Sequence, residues 1–189
     1  MDLRVVHRNT RAATLEQRFP GIRILDVTSR AEQPWVRFSP FYPHGGIPVP
    51  FSDGQVAQSV EGVWQGLKVF ADSDVDVKMF GITTMRGLKR TERRFGRTLG
   101  HRAGVHGDRL LSYLGARRLI YLPIYRWVLD NKLQPELEQV RELARQHPVA
   151  LLDYETNTDV LNPAKPLSHA ALVRAYVLGE WPVMDPLHS

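Results

Sequence analysis

Residues 59–71 read SVEGVWQGLKVFA, the clearest helical pattern in the chain. At about 100° per residue, Val60, Val63, Leu67, Phe70 and Ala71 fall on one face as a core stripe. Glu61, Gln65 and Lys68 fall on another, with Trp64 on the border. Ser59 suits an N-cap, and a carboxylate at Glu61 suits the positive end of the helix dipole. The spacing predicts a helix over 59–71 that presents a carboxylate, an amide, an ammonium and a large aromatic along one line. An ordinary amphipathic helix carries the same pattern, and periodicity does not separate the two readings.

Upstream, 3–7 reads as a strand, 10–18 as a helix stopped by Pro20 and Gly21, and 22–27 as a strand. A short strand is expected at 35–38. SPFYPHGGIPVP at 39–50 reads as an ordered, turn-rich loop. Downstream, 75–84 reads as a strand or a turn of helix, and 91–99 and 108–114 read as helices. The apolar run 116–131 carries Pro123 as a kink or helix start. A helix over 134–147 starts with Pro135, a buried strand covers 149–152, and 154–167 is polar loop. Ser168 caps a last helix that reaches about residue 178. No repeat and no domain boundary is visible. The expected fold is a single α+β, helix-rich domain over 1–189 with a small sheet.

The chain has 189 residues and no cysteine, which excludes a disulfide scaffold, a thiol nucleophile and thiolate metal sites. Neither a signal-type apolar region near the N-terminus nor a run long enough to span a bilayer is present in the sequence, so a cytoplasmic location is expected. The net charge of +5 has one source. Residues 78–118 carry 11 basic and 2 acidic side chains, punctuated by glycines such as Gly81, Gly87, Gly96, Gly100, Gly104 and Gly107, whereas the flanks are weakly acidic. Such a segment attracts polyanions, although a charge run is more commonly a solvated face. Phosphate-loop, dinucleotide-binding, zinc-protease and hydrolase-elbow motifs are absent. His101 and His106 lack a carboxylate pattern beside them, so no metal and no cofactor is expected.

FSPFYPHGGIPV at 38–49 and QSVEGVWQGLKVF at 58–70 together resemble the signature of the NADAR superfamily. Ser39 and Phe41 match its serine-asparagine-phenylalanine turn, with Pro40 in place of the asparagine. Glu61, Gln65 and Lys68 match its helix, with Gly62 and Trp64 in place of a common histidine and a common tyrosine or phenylalanine. The resemblance spans roughly 36–178 and leaves 1–35 as an N-terminal extension. LNPAKPLSHAAL at 161–172 departs from the family's glycine-rich turn.

This resemblance implies an N-glycosidase that hydrolyses a C1′–N ribosyl bond, most directly one that removes ADP-ribose from guanine in nucleic acid. It implies Glu61 and Asp159 as the catalytic carboxylates, with Glu61 kept ionised by its helix terminus. Asn157 would orient sugar hydroxyls. Ser39 and Gln65 would belong to the binding wall, Phe41, Tyr42 or Trp64 would stack on a base, and Lys68, Arg86 and Lys89 would hold phosphates. His169 would close the pocket. The implied partners are ADP-ribosylated nucleic acid or a phosphorylated nucleotide-like ligand, with functional pairing to an ADP-ribosylating toxin. Two alternatives stay open: a glycosidase acting on a small phosphorylated ribosylamino metabolite, and a non-catalytic module that binds ADP-ribose or nucleic acid.

Overall fold

A strand buried on both faces reads as a continuous apolar run, and VALLD at 149–153 is such a run up to its last residue. In the computed structural model, which describes residues 1–182, all five are buried. The chain is α+β and helix-rich. It begins with β1 (Leu3–His7), α1 (Ala12–Arg18), β2 (Arg23–Asp26), β3 (Ile47–Pro48), β4 (Val56–Ala57), α2 (Val60–Gly66) and β5 (Lys68–Phe70). It continues through α3 (Glu92–Phe95), β6 (Thr98–Arg102), β7 (Leu110–Leu111), α4 (Tyr113–Ala116) and α5 (Leu122–Lys132). It closes with α6 (Gln134–Gln146), β8 (Val149–Asp153) and α7 (His169–Leu178). Where the sequence displays no boundary, the internal contacts divide the described residues into two compact units: residues 1–39 with 133–182, and residues 40–132.

The first unit is built on a parallel sheet of order β1-β8-β2. Residues 1–35, expected as an extension, supply both strands that flank β8. Helix α1 covers one face, where Leu15 and Ile22 pack with Ala150 and Leu152. Side chains alternate along a strand, so Asp153 turns to the other face, where α7 begins. Ser168 caps α7 by accepting from the Ala171 amide, as the sequence predicts. Residues 35–38 are a 3-10 turn rather than the expected strand. The amides of Arg37 and Ser39 bond the carbonyls of Pro34 and Val36, so this backbone is satisfied locally.

In the second unit α2 is shorter than the predicted helix. Ser59 caps it as expected, but it ends at Gly66, and Lys68–Phe70 continue as a strand. Glycine is a poor helix former, and the Val69–Phe70 pair favours a pleated, half-buried surface. Gly62 and Gly66 lie one turn apart against residues 77–81. A Cβ on Gly62 would stand 2.8 Å from the Met79 carbonyl oxygen, and one on Gly66 would stand 2.3 Å from the Phe80 ring. The residues read as helices at 91–99 and 108–114 are each half strand: α3 stops at Gly96, and β5, β6 and β7 form an antiparallel sheet. A π-helical turn over Arg117–Tyr121 precedes α5, beside the expected irregularity at Pro123. Among the described residues no helix is long and apolar enough to cross a membrane.

Candidate functional site

The first turn of α2 fixes Glu61. The amide of Glu61 bonds the Pro40 carbonyl at 2.8 Å, and the Gly62 amide bonds the Ser59 hydroxyl at 3.0 Å. Two of the helix's orphan donors are thereby satisfied. The Glu61 side chain is half-buried, and its Oε1 accepts from Gln65 Nε2 at 2.8 Å, one turn along. Gln65 is itself held from behind: its Oε1 accepts from the Arg90 amide at 3.1 Å. The Arg90 guanidinium binds the carbonyls of Gln65, Lys68 and Asp74 and the Ser73 hydroxyl at 2.7–2.9 Å. Arg90 is thus a structural clasp between α2 and β5 that aims Gln65 at Glu61.

Burial dominates the Glu61 carboxyl and raises its pKa above the ordinary value. Its bond from Gln65 and the charges of Lys89 and Lys68 pull the other way without cancelling that rise. The helix terminus does not hold this carboxyl in the ordinary range, contrary to the expectation from the dipole. Lys68 is half-buried, and burial lowers its pKa, with Glu61 and Glu92 opposing. The acid is pushed up and the base is pushed down, so both are drawn toward neutral pH.

Beside this pair lies a cavity of about 360 Å³ walled by Trp64, Lys68, Tyr113 and residues 98–101 of β6. Lys68 and His101 are directly opposed across the β5–β6 ladder, which places their side chains on one face. The Trp64 ring lies 3.9 Å from the His101 ring, centroid to centroid, and makes edge contacts with Tyr113 at 5.9 Å and Tyr121 at 5.7 Å. His101 is 1% exposed, and neither ring nitrogen has a hydrogen-bond partner. Burial and then the Lys68 charge push its pKa down to about 3; the nearby Trp64 backbone raises it slightly without meeting hydrogen-bond geometry. The imidazole is therefore neutral at working pH.

The remaining predicted residues lie as follows. Lys89 is exposed, 5.9 Å from the centre of the Phe41 ring. The Tyr42 ring contacts His44 at 4.8 Å. Arg86 is exposed in a loop, and no interaction brings it to Glu61. Ser39 is buried at the end of the 35–38 turn. Asn157 and Asp159 close their own loop: the Asp159 amide bonds Asn157 Oδ1 at 3.0 Å, and the Leu161 amide bonds Asp159 Oδ1 at 2.8 Å. His169 is buried and satisfied, with Nε2 2.8 Å from the Val27 carbonyl and Nδ1 3.0 Å from Asp153 Oδ2. The same Asp153 oxygen accepts from the Ser168 hydroxyl at 2.7 Å and the Ala170 amide at 3.2 Å.

The model of a family of unknown function, DUF6939, matches residues 7–173. The chain belongs to the DUF6939 family. No curated protein matches the sequence significantly. The DUF6939 match includes both Glu61 and the cavity, and also the basic segment. In that segment Arg86, Lys89, Arg93, Arg94, Arg97 and Arg109 are exposed, and among the described residues none of them forms a salt bridge. No cluster of three potential metal ligands occurs among the described residues of this DUF6939 chain. Sequence reasoning missed His101 as a wall of the site and Asp153 as the anchor of α7. No local pattern in TLGHR at 98–102 marks His101, whereas the polar end of an apolar strand was the signal for Asp153.

Proposed function

We propose that this protein is a cytoplasmic hydrolase that cleaves a C1′–N ribosyl bond, removing ADP-ribose from modified guanine in nucleic acid. One observation carries the reading: Glu61 is a half-buried carboxyl with a raised pKa, oriented by Gln65 and within reach of the charge of Lys68, which itself walls an aromatic-lined cavity. In the reaction, water adds to C1′ as the C1′–N bond breaks, and that electron pair leaves with the base. Glu61 takes the water's proton, and the departing nitrogen gains one from solvent. A carboxyl drawn toward working pH suits this proton transfer, and its charge favours an oxocarbenium-like sugar. Lys68, Lys89 and Arg86 supply positive charge for the phosphates, and no cofactor takes part. The exposed arginines favour a polymer, and a toxin that ADP-ribosylates nucleic acid would supply such a substrate.

The cavity volume of about 360 Å³ favours a second reading, in which a small phosphorylated ribosylamino metabolite is hydrolysed instead. The test is mass-spectrometric. Wild type and Glu61→Gln are incubated with guanine-ADP-ribosylated DNA and, separately, with a ribosylamino-pyrimidine phosphate. Release of free ADP-ribose by wild type alone supports the first reading, and turnover of the small substrate alone supports the second. Salt-sensitive DNA binding with neither reaction leaves a binding module and overturns both.

A further inference from the structure

A buried polar group without a partner is costly, and native proteins keep few of them. His101 has two such atoms on one ring. It is not a remote core residue, because it walls the cavity that Lys68, Trp64 and Tyr113 also wall. The fold supplies no well-formed hydrogen bond: the Trp64 backbone comes near without meeting the geometry, and the other groups facing the ring are the Trp64 indole and, across the ladder, Lys68, which has no acceptor to offer. The Trp64 indole is half-buried and makes no hydrogen bond, so ring contacts with His101, Tyr113 and Tyr121 are what keep it over the imidazole.

We infer that the cavity receives a planar nitrogen heterocycle bearing a phosphorylated sugar, with a ring nitrogen of His101 hydrogen-bonding the heterocycle's edge once the Trp64 ring turns aside. A neutral imidazole carries one donor and one acceptor that point away from each other, so one of them at a time meets the edge of a nucleobase or pyridine amide. The aromatic faces of Trp64 and Tyr113 accept any flat base by stacking, so they provide affinity with little discrimination. His101 provides the discrimination, because a ligand without the right edge leaves the facing ring nitrogen unpaired. Lys68, on the same face and directly opposite, lies where an attached phosphate gains a cation. This assigns a specificity-determining role to a residue outside the Glu61–Gln65–Lys68 line. It rests on the proposed function only in taking this cavity as the place where substrate is held.

The test is isothermal titration of the full chain with GMP, UMP and nicotinamide mononucleotide, against ribose 5-phosphate as the base-free probe. At least one of the three nucleotides is expected to bind ten times more tightly than ribose 5-phosphate or better. The preferred nucleotide is expected to lose tenfold or more with His101→Phe, which keeps a flat ring and removes the nitrogens, at an unchanged or higher urea midpoint. Equal affinity for ribose 5-phosphate and all three nucleotides overturns the inference. So does unchanged nucleotide affinity in a folded His101→Phe chain. If that variant does not fold, the wild-type comparison decides by itself. Nucleotide binding with no hydrolysis of either substrate above removes the hydrolase reading alone. Hydrolysis without discrimination between nucleotides and ribose 5-phosphate removes the heterocycle pocket alone.

Discussion

His169 and His101 are both buried, one in each unit, and they titrate in opposite directions. Burial presses both imidazoles down. At His169 the charge and hydrogen bond of Asp153 reverse the effect and raise the pKa, whereas His101 meets no carboxylate and falls to about 3. The Asp153 carboxyl is likewise pushed up by burial and then carried below its ordinary value by His169, Ser168 and the Ala170 amide. The first unit therefore holds a closed polar network, in which each group answers another. The second holds an open one: a protonatable carboxyl near a depressed lysine, and an unanswered imidazole facing that lysine on the wall of a cavity. The closed network holds elements in place, and the open one is where we propose that a ligand is held.

The largest effect that would break this contrast is Asp153→Ala. It removes the partner of His169, Ser168 and the α7 terminus together, and breaking a buried pair costs roughly 3–5 kcal/mol. Urea denaturation of the variant should show that loss; a change within 1 kcal/mol, about the surface-pair range, would make the network decorative. His101→Phe should behave in the opposite way, with stability at neutral pH kept or raised.

The acid limb separates the histidines further. Between its ordinary value of 6.5 and about 3, the unfolded chain binds a proton at residue 101 that the folded chain refuses. Stability must therefore fall as pH falls, by up to about 1.4 kcal/mol per unit from this group. His101→Phe should flatten that slope between pH 6 and 4, and an unchanged slope would remove the neutral, desolvated imidazole. The sign is reversed for His169. Its contribution is complete below its ordinary 6.5 and is lost as pH rises through the raised folded value. Asp153 contributes above its ordinary 3.8 and loses its contribution as pH falls through its depressed folded value. His169→Phe should accordingly reduce the loss of stability on the alkaline side.

The smallest effects concern the exposed cations. Arg93→Ala or Arg97→Ala should leave the urea midpoint within about 0.5 kcal/mol. If the basic surface follows a phosphate backbone, each replaced contact should reduce the slope of log affinity against log salt for duplex DNA by about 0.9. An unchanged slope would return these arginines to solvent.

The contrast also explains what was legible in the sequence. The first unit's strands are apolar runs with local punctuation, and its last helix opens on a serine cap. Both features speak within a few residues, so 3–7, 22–27, 149–152 and the Ser168 cap were readable. In the second unit, Ser59, Glu61 and Gln65 were readable for the same local reason. The β5–β6–β7 sheet was not. Its strands are short, Gly100 interrupts one of them, and their pairing joins residues 68–70 to 98–102 and on to 110–111. Nothing within a helix-length window announces that Lys68 will face His101. Lys68 was placed beside Glu61 by helical periodicity, yet it reaches the site from a strand. Trp64, set on the border between two helix faces, covers a histidine whose element was read as something else.

The position of β8 in its sheet has a consequence for synthesis. Leu3 and Arg23 both align with Val149, so neither flanking strand has its sheet partner until residues 149–153 have left the ribosome. Residues 40–132 are contiguous and carry their own contacts, so they are free to fold while the first 39 residues wait. Until β8 emerges, both strands carry unpaired edges, and Ile24, more than a third exposed even when folded, lies on one of them.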